Sequence, residues 1–189
     1  MYFLADIFTK VLRFAPSEVS HKLALFGLKV TYTLGLLTDL KIKKQEVKIA
    51  NLTFPNKVGL AAGMDKNGDY IDPLAALGFG FLEIGTVTPK PQIGNKKPRL
   101  FRLKDEKSLI NRMGFNNKGV DYVVSKIKNR KSKSIIIGIS IGKNMDTPIE
   151  DAVKDYLECL KKAYQFSDYI ALNISSPNTS NLRDLEAPE

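Results

Sequence analysis

Ile135-Ile136-Ile137-Gly138-Ile139-Ser140-Ile141-Gly142-Lys143-Asn144 is a short apolar run that ends in polar residues. Its length and composition suit a strand covered on both faces, as in a parallel sheet. Residues 58–62, 81–87 and 169–174 repeat the pattern. Helical patterning separates these runs, at 71–77, where Pro73 is tolerated near a helix start, and at 120–127, with Val123 and Val124 on the apolar face. A third helix is predicted from Thr147-Pro148-Ile149-Glu150, a capping box with proline at the first helical position. Its apolar face continues through Val153, Tyr156, Leu157, Leu160 and Tyr164. The order β-α-β-α-β-α-β predicts parallel α/β architecture. Polar residues follow all four strands: Asp65-Lys66, Thr86 and Thr88, Ser140 with Lys143-Asn144, and residues 173–178. An open doubly wound sheet gathers its site at one crevice, whereas a barrel uses many strand ends, so the distribution favours a (β/α)8 TIM barrel.

Upstream, residues 47–54 alternate polar and apolar as one strand, and residues 1–45 form a separate helical extension before the barrel portion at 46–189. Phe3, Leu4, Ile7, Phe8, Val11 and Leu12 make a stripe on a first helix from Tyr2 to about Phe14. Pro16-Ser17-Glu18 starts a second, with Val19, Leu23, Phe26 and Val30 aligned. Such stripes ordinarily cover a protein's own core; in a small unit rich in Phe and Leu and followed by a basic segment, contact with a membrane surface is the alternative.

The 189 residues, 43% hydrophobic and 26% charged, describe a globular protein. No run of about 18 uninterrupted apolar residues and no secretory signal pattern occurs, which predicts a chain that stays in the cytoplasm. One cysteine, Cys159, and one histidine, His21, exclude a disulfide framework and argue against a zinc site. The net charge of +9 collects in two lysine-rich stretches, 41–48 and 126–133, without the aromatic interleaving or helix-turn-helix pattern of a nucleic-acid binder. Solvated surface is the simpler reading, and attraction to acidic lipid headgroups stays open.

Three strings carry chemistry. Ala61-Ala62-Gly63-Met64-Asp65-Lys66 sets small residues where backbone can approach a flat ligand, with Lys66 either paired to Asp65 or free for an anion. Asn111-Arg112-Met113-Gly114-Phe115-Asn116-Asn117 gathers amides and a guanidinium around a glycine, which suits a cyclic amide or imide; an Asn-rich turn explains only its end. It closes the stretch 88–110, punctuated by Pro89, Pro91, Gly94-Asn95 and Pro98 and too long for an ordinary βα connection. Asn173-Ile174-Ser175-Ser176-Pro177-Asn178-Thr179 is either a capped turn or a catalytic loop, and the absence of a nearby histidine argues against a Ser-His hydrolase.

In this order and with these separations the strings resemble the quinone-linked (class 2) dihydroorotate dehydrogenases, and the resemblance runs from the first residues to the last. It implies the N-terminal half of an FMN-binding barrel preceded by a membrane-associated helical pair, at the cytoplasmic face of a bacterial inner membrane. By position, Ala62, Gly63, Met64, Asp65, Lys66, Thr86, Ser140 and Asn173 would contact FMN. Lys66, Asn111, Arg112, Met113, Gly114, Phe115, Asn173 and Asn178 would hold dihydroorotate or orotate. Ser176, serine where relatives outside this class use cysteine, would remove the C5 proton while hydride passes from C6 to flavin N5. His21 and Arg102 match polar contacts to the quinone. Ser140 departs from the asparagine of many relatives, with less reach toward the flavin. A barrel of this kind needs about 250 residues, so a fragment inactive by itself is expected, the alternative being a non-catalytic membrane- or partner-binding remnant.

Overall fold

The structure, a computed structural model, describes residues 2–37, 45–179 and 181–186, the first five of these by their backbone alone. Phe3 and Leu4 of the first stripe, by their side chains, and residues 41–44 of the first basic stretch lie outside the described residues. Two helices open the chain, α1 (Tyr2–Leu12) and α2 (Ser17–Thr33). Ser20 Oγ donates to Leu12 O at 2.6 Å, fixing the angle between them. The inward side of the pair supplies Leu25 and Leu28 to the main core. Of the predicted stripes Leu12 is buried, but the rest described by side chain point outward: Ile7, Phe8, Val11, Val19, Leu23, Phe26 and Val30 are all exposed, as is Phe14 between the helices. No described helix is long and apolar enough to cross a membrane.

The alternation at 47–54 is a hairpin rather than one strand. β1 (Val47–Ile49) pairs antiparallel with β2 (Leu52–Phe54), because Ala50, at φ 50°, turns the chain. Then follow β3 (Gly59–Leu60), shorter and less buried than expected, α3 (Ile71–Ala75) and β4 (Phe81–Val87). The long connection after β4 builds its own hairpin, β5 (Leu100–Leu103) on β6 (Ser108–Asn111), which the sequence did not predict. Next come α4 (Val120–Lys128), β7 (Ile136–Ile141), α5 (Ala152–Ala163) and β8 (Tyr169–Leu172).

β3, β4, β7 and β8 form a four-stranded parallel sheet in chain order, so the α/β prediction holds. The sheet is open among the described residues, with β3 and β8 as its edges. Leu82, Ile84, Ile137, Ile139 and Ile141 pack against Val120, Val123, Ile127, Cys159 and Ala163 in one core. On the opposite face Phe81 stacks edge-on between Phe54 and Tyr169, at 5.3 and 6.4 Å between ring centroids. Gly138 makes room for that cluster: a Cβ there would lie 2.1 Å from the Tyr169 ring.

Two features of α5 differ from expectation. The segment opens with a 3-10 turn, Ile149–Asp151, and Pro148 stands at its cap without a side-chain bond, so the capping box is not formed. The buried face is Ala152, Cys159 and Ala163, with Tyr156 and Leu160 at its margins, while Val153, Leu157 and Tyr164 are exposed. Small inward residues let the helix sit close on β7, which turns the bulky apolar ones away from the core.

Candidate functional site

The carboxyl ends of β3, β4, β7 and β8 lie side by side, and each sends a loop to the same end of the sheet. The loop after β3 is locked by Asp65, which is 3% exposed. Its Oδ1 accepts the backbone N–H groups of Asn67 and Asp69, and its Oδ2 that of Tyr70 at 2.7 Å. Burial pushes this carboxyl up from its ordinary value, against the pull of the three N–H donors. With both carboxylate oxygens engaged and its carbonyl accepting the Gly85 N–H at 3.3 Å, Asp65 has its backbone N–H left to offer a ligand. Lys66 does not pair with it: Nζ donates to Gly63 O at 2.6 Å, and burial, then the Arg99 charge, lowers the lysine pKa. Gly63, at φ 105°, donates its N–H to Gly85 O, and a Cβ on it would meet only Lys66 Nζ, at 4.0 Å. Small residues here thus leave open space, with Ala62 half-buried and Met64 exposed.

Gly85 leads into Thr86, whose Oγ1 lies 2.9 Å from Ser140 Oγ on β7 and accepts Asn173 Nδ2 at 2.8 Å from the loop after β8. Three strands are joined by these two bonds. Asn173 Oδ1 is buried with no hydrogen-bond partner among the described residues. A buried acceptor left empty costs about 1–3 kcal/mol, so the protein gains when an N–H donor fills it.

The second string follows β6. Met113 N donates to Asn111 Oδ1, Gly114 at φ 67° lies close under Asn95, and Phe115 at φ 50° turns its ring toward Gly142. Met113 and Phe115 are buried, whereas Asn111 and Arg112 are exposed. Asn178 Nδ2 donates to Asn111 O at 3.1 Å, and Asn95 Nδ2 donates to Arg112 O and, at 3.4 Å, to Asn178 O. Asn178 N in turn donates to Ser176 Oγ at 3.3 Å. The excursion after β4 and the loop after β8 are therefore stitched to one another, with Ser176 at the seam. Lys66 reaches the group only through the β3 and β4 backbone, since no bond joins it to Asn111 or Ser176.

His21 and Arg102 both belong to the helix-pair side. Burial, then the Lys66 charge, lowers the His21 pKa. Arg102 Nη1 donates to Arg13 O and Ala15 O at the turn after α1.

Several residues were not singled out from sequence. Asn117 is buried and accepts from Thr88 N and Gly119 N while donating to Thr88 Oγ1 and Phe115 O, so it holds the Met113–Phe115 turn in place. Arg99, 6% exposed, grips Glu18 with two bonds and the carbonyls of Ile93 and Asn95 with two more, tying α2 to the excursion. Thr179 is buried with its hydroxyl unpaired among the described residues. The only sequence signal for these was their position inside the amide-rich strings and the Pro-punctuated stretch.

The family profile described as dihydroorotate dehydrogenase matches residues 44–189. Dihydroorotate dehydrogenase (quinone) of Acinetobacter baylyi is 57% identical over 170 residues, which are 90% of this chain and 50% of that protein. The protein of the same description from Buchnera aphidicola is 56% identical over 94% of this chain and 53% of its own length. The chain thus spans about half the length of the curated relatives it matches. A crystal structure of DHODH from Eimeria tenella in complex with ferulenol superposes with a TM-score of 0.79 at 40% identity, over 90% of this chain and 46% of that one. Profile, relatives and superposition converge on a single group, and the chain belongs to the dihydroorotate dehydrogenase family.

Proposed function

We propose that a protein containing this chain oxidises (S)-dihydroorotate to orotate and passes the electrons through FMN to a quinone, in pyrimidine synthesis. The observation that carries the reading is the stitched seam: Asn111, Asn178 and Ser176 meet across two loops, beside the Ser140–Thr86–Asn173 cluster. Residues 46–189 would be the first half of a (β/α)8 barrel and residues 1–45 its helical extension.

FMN suits the residues present. The open space over Gly63 admits a flat ring, Asn173 Oδ1 lacks a donor among the described residues, and the desolvated Lys66 ammonium favours a negatively polarised group. Ala62 to Lys66, Thr86, Ser140 and Asn173 would hold the cofactor, which when bound supplies the hydride acceptor that no side chain can provide. The chain's own part is binding, orientation and proton handling. Asn111, Asn173, Asn178 and the turn from Arg112 to Phe115 would hold the substrate amides, the turn through the N–H groups of Gly114 and Phe115, since its other main-chain groups bond within the fold, and Lys66 would balance the carboxylate. Ser176 Oγ takes the C5 proton. A serine does this only with a neighbour that relays the proton onward to solvent, and Thr179, buried and unpaired among the described residues, is the nearest such hydroxyl in sequence.

His21 and Arg102 would flank the quinone entry beneath the helix pair. The exposed apolar stripes of α1 and α2 would rest on the cytoplasmic face of the membrane, consistent with helices too short to cross it.

The test is to join residues 1–189 to the second half of the Acinetobacter baylyi relative. The joined protein should retain FMN and reduce a quinone only when dihydroorotate is added. Flavin-loaded protein that ignores dihydroorotate would remove the reading.

A further inference from the structure

The backbone of Asn173 is held on both sides: its N–H donates to Ile141 O at 2.9 Å, and its carbonyl accepts Tyr156 Oη at 2.9 Å. What remains free is the direction of the side-chain amide, oxygen or nitrogen toward Thr86. A hydroxyl facing an amide accepts either choice, because it is donor and acceptor together. Thr86 alone would therefore leave Asn173 free to flip. Ser140 removes that freedom by accepting the Thr86 proton. Its hydroxyl, 2% exposed, lies 2.9 Å from Thr86 Oγ1, and one proton bridges the two oxygens. If Thr86 gives its proton to Ser140, Thr86 can only accept from Asn173. If Ser140 donated instead, the Thr86 proton would be free for Asn173 Oδ1 and the amide would reverse; Asn173 Nδ2 donating to Thr86 Oγ1 at 2.8 Å is the arrangement that goes with Ser140 accepting the Thr86 proton.

We propose that Ser140 is a positioning residue that acts through Thr86: the hydroxyl pair holds the Asn173 amide with its NH2 group inward and its oxygen reserved for an N–H of a bound cyclic imide. This rests on the flavin site described above, and assigns Ser140 an indirect role there instead of a contact of its own. The short side chain reaches Thr86 and goes no further. Loss of the Ser140 hydroxyl frees the Thr86 proton for Asn173 Oδ1, and the amide then turns a donor toward the ligand's own donor.

Two measurements test this. In the 189-residue chain without ligand, nitrogen-15 spectra should show one Asn173 Nδ2 proton shifted and slowed in exchange. Ser140→Ala and Thr86→Val should each abolish that signature, Thr86→Ser should keep it, and thermal melting should confirm that every variant is folded. In the protein joined to the relative's second half, FMN affinity read by fluorescence quenching should fall about tenfold in Ser140→Ala, the size of one misplaced hydrogen bond. In a Thr86→Val background Ser140→Ala should then cost nothing further. An Asn173 signature indifferent to Ser140, or a Ser140→Ala effect that persists undiminished without the Thr86 hydroxyl, overturns the proposal. Failure of the joined protein to bind FMN at all would count against the flavin site, while the spectra would still decide whether Ser140 orients Asn173.

Discussion

Asn117 shows how much a single amide can carry. Four groups lose their partner if it is shortened, two of them backbone N–H groups inside the fold. Asn117→Ala should lower stability by about 2–3 kcal/mol, measured by urea unfolding, since buried groups left unpaired lose their hydration without compensation. A change within experimental error would mean that the turn holds itself. Glu18 makes a second case. Its hydrogen bond with Arg99, then the charges of Arg99 and Lys97, keep the carboxyl below its usual 4.5 despite burial. Its contribution to stability is therefore complete above pH 4.5 and is lost as pH falls through the depressed folded-state value. Glu18→Gln should flatten the acid limb of a pH–stability curve in that window, and a curve of unchanged shape would separate the helix pair from this contact. A turn at Asn116-Asn117 was expected from sequence, but not the bonds by which Asn117 holds it, and the Glu18–Arg99 pair was not expected at all. An asparagine in an Asn-rich string looks the same whether it faces ligand or props up a turn, and an ion pair spanning 81 positions leaves no local trace.

At the scale of elements the periodic signals served well where one face decided the structure. β4 and α4 fall within a residue of the expected bounds because each has a continuous apolar face against the core. Prediction failed where the apolar face was not the buried one. On α5 and the turn after it the bulky residues Val153, Leu157 and Tyr164 point outward, and closeness of packing selected Ala152, Cys159 and Ala163 instead. Leu157→Ser should accordingly leave the melting temperature within about a degree, as for other exposed positions, whereas Cys159→Ser, placing a hydroxyl in the core, should lower it markedly. The same outward logic applies to α1 and α2. Sedimentation with vesicles containing anionic lipid should retain the chain, and Phe14→Asp with Phe26→Asp should release it, because both rings are exposed and apolar. Binding that survives both changes would place the contact elsewhere.

For the molecule as a whole, the alternation of strands and helices was readable because parallel strands covered on both faces have near-continuous apolar sequences. Closure of the sheet was not, since it depends on pairing at the edges of β3 and β8, and these are open among the described residues. The proposed chemistry would depend less on closure than on two loops from distant parts of the chain meeting at Asn178, two residues from Ser176. The most direct test is the single-turnover rate of flavin reduction by dihydroorotate in the joined protein carrying Ser176→Ala. A loss of about a hundredfold or more, the usual contribution of a general base, with orotate affinity little changed, is predicted. An undiminished rate would contradict it.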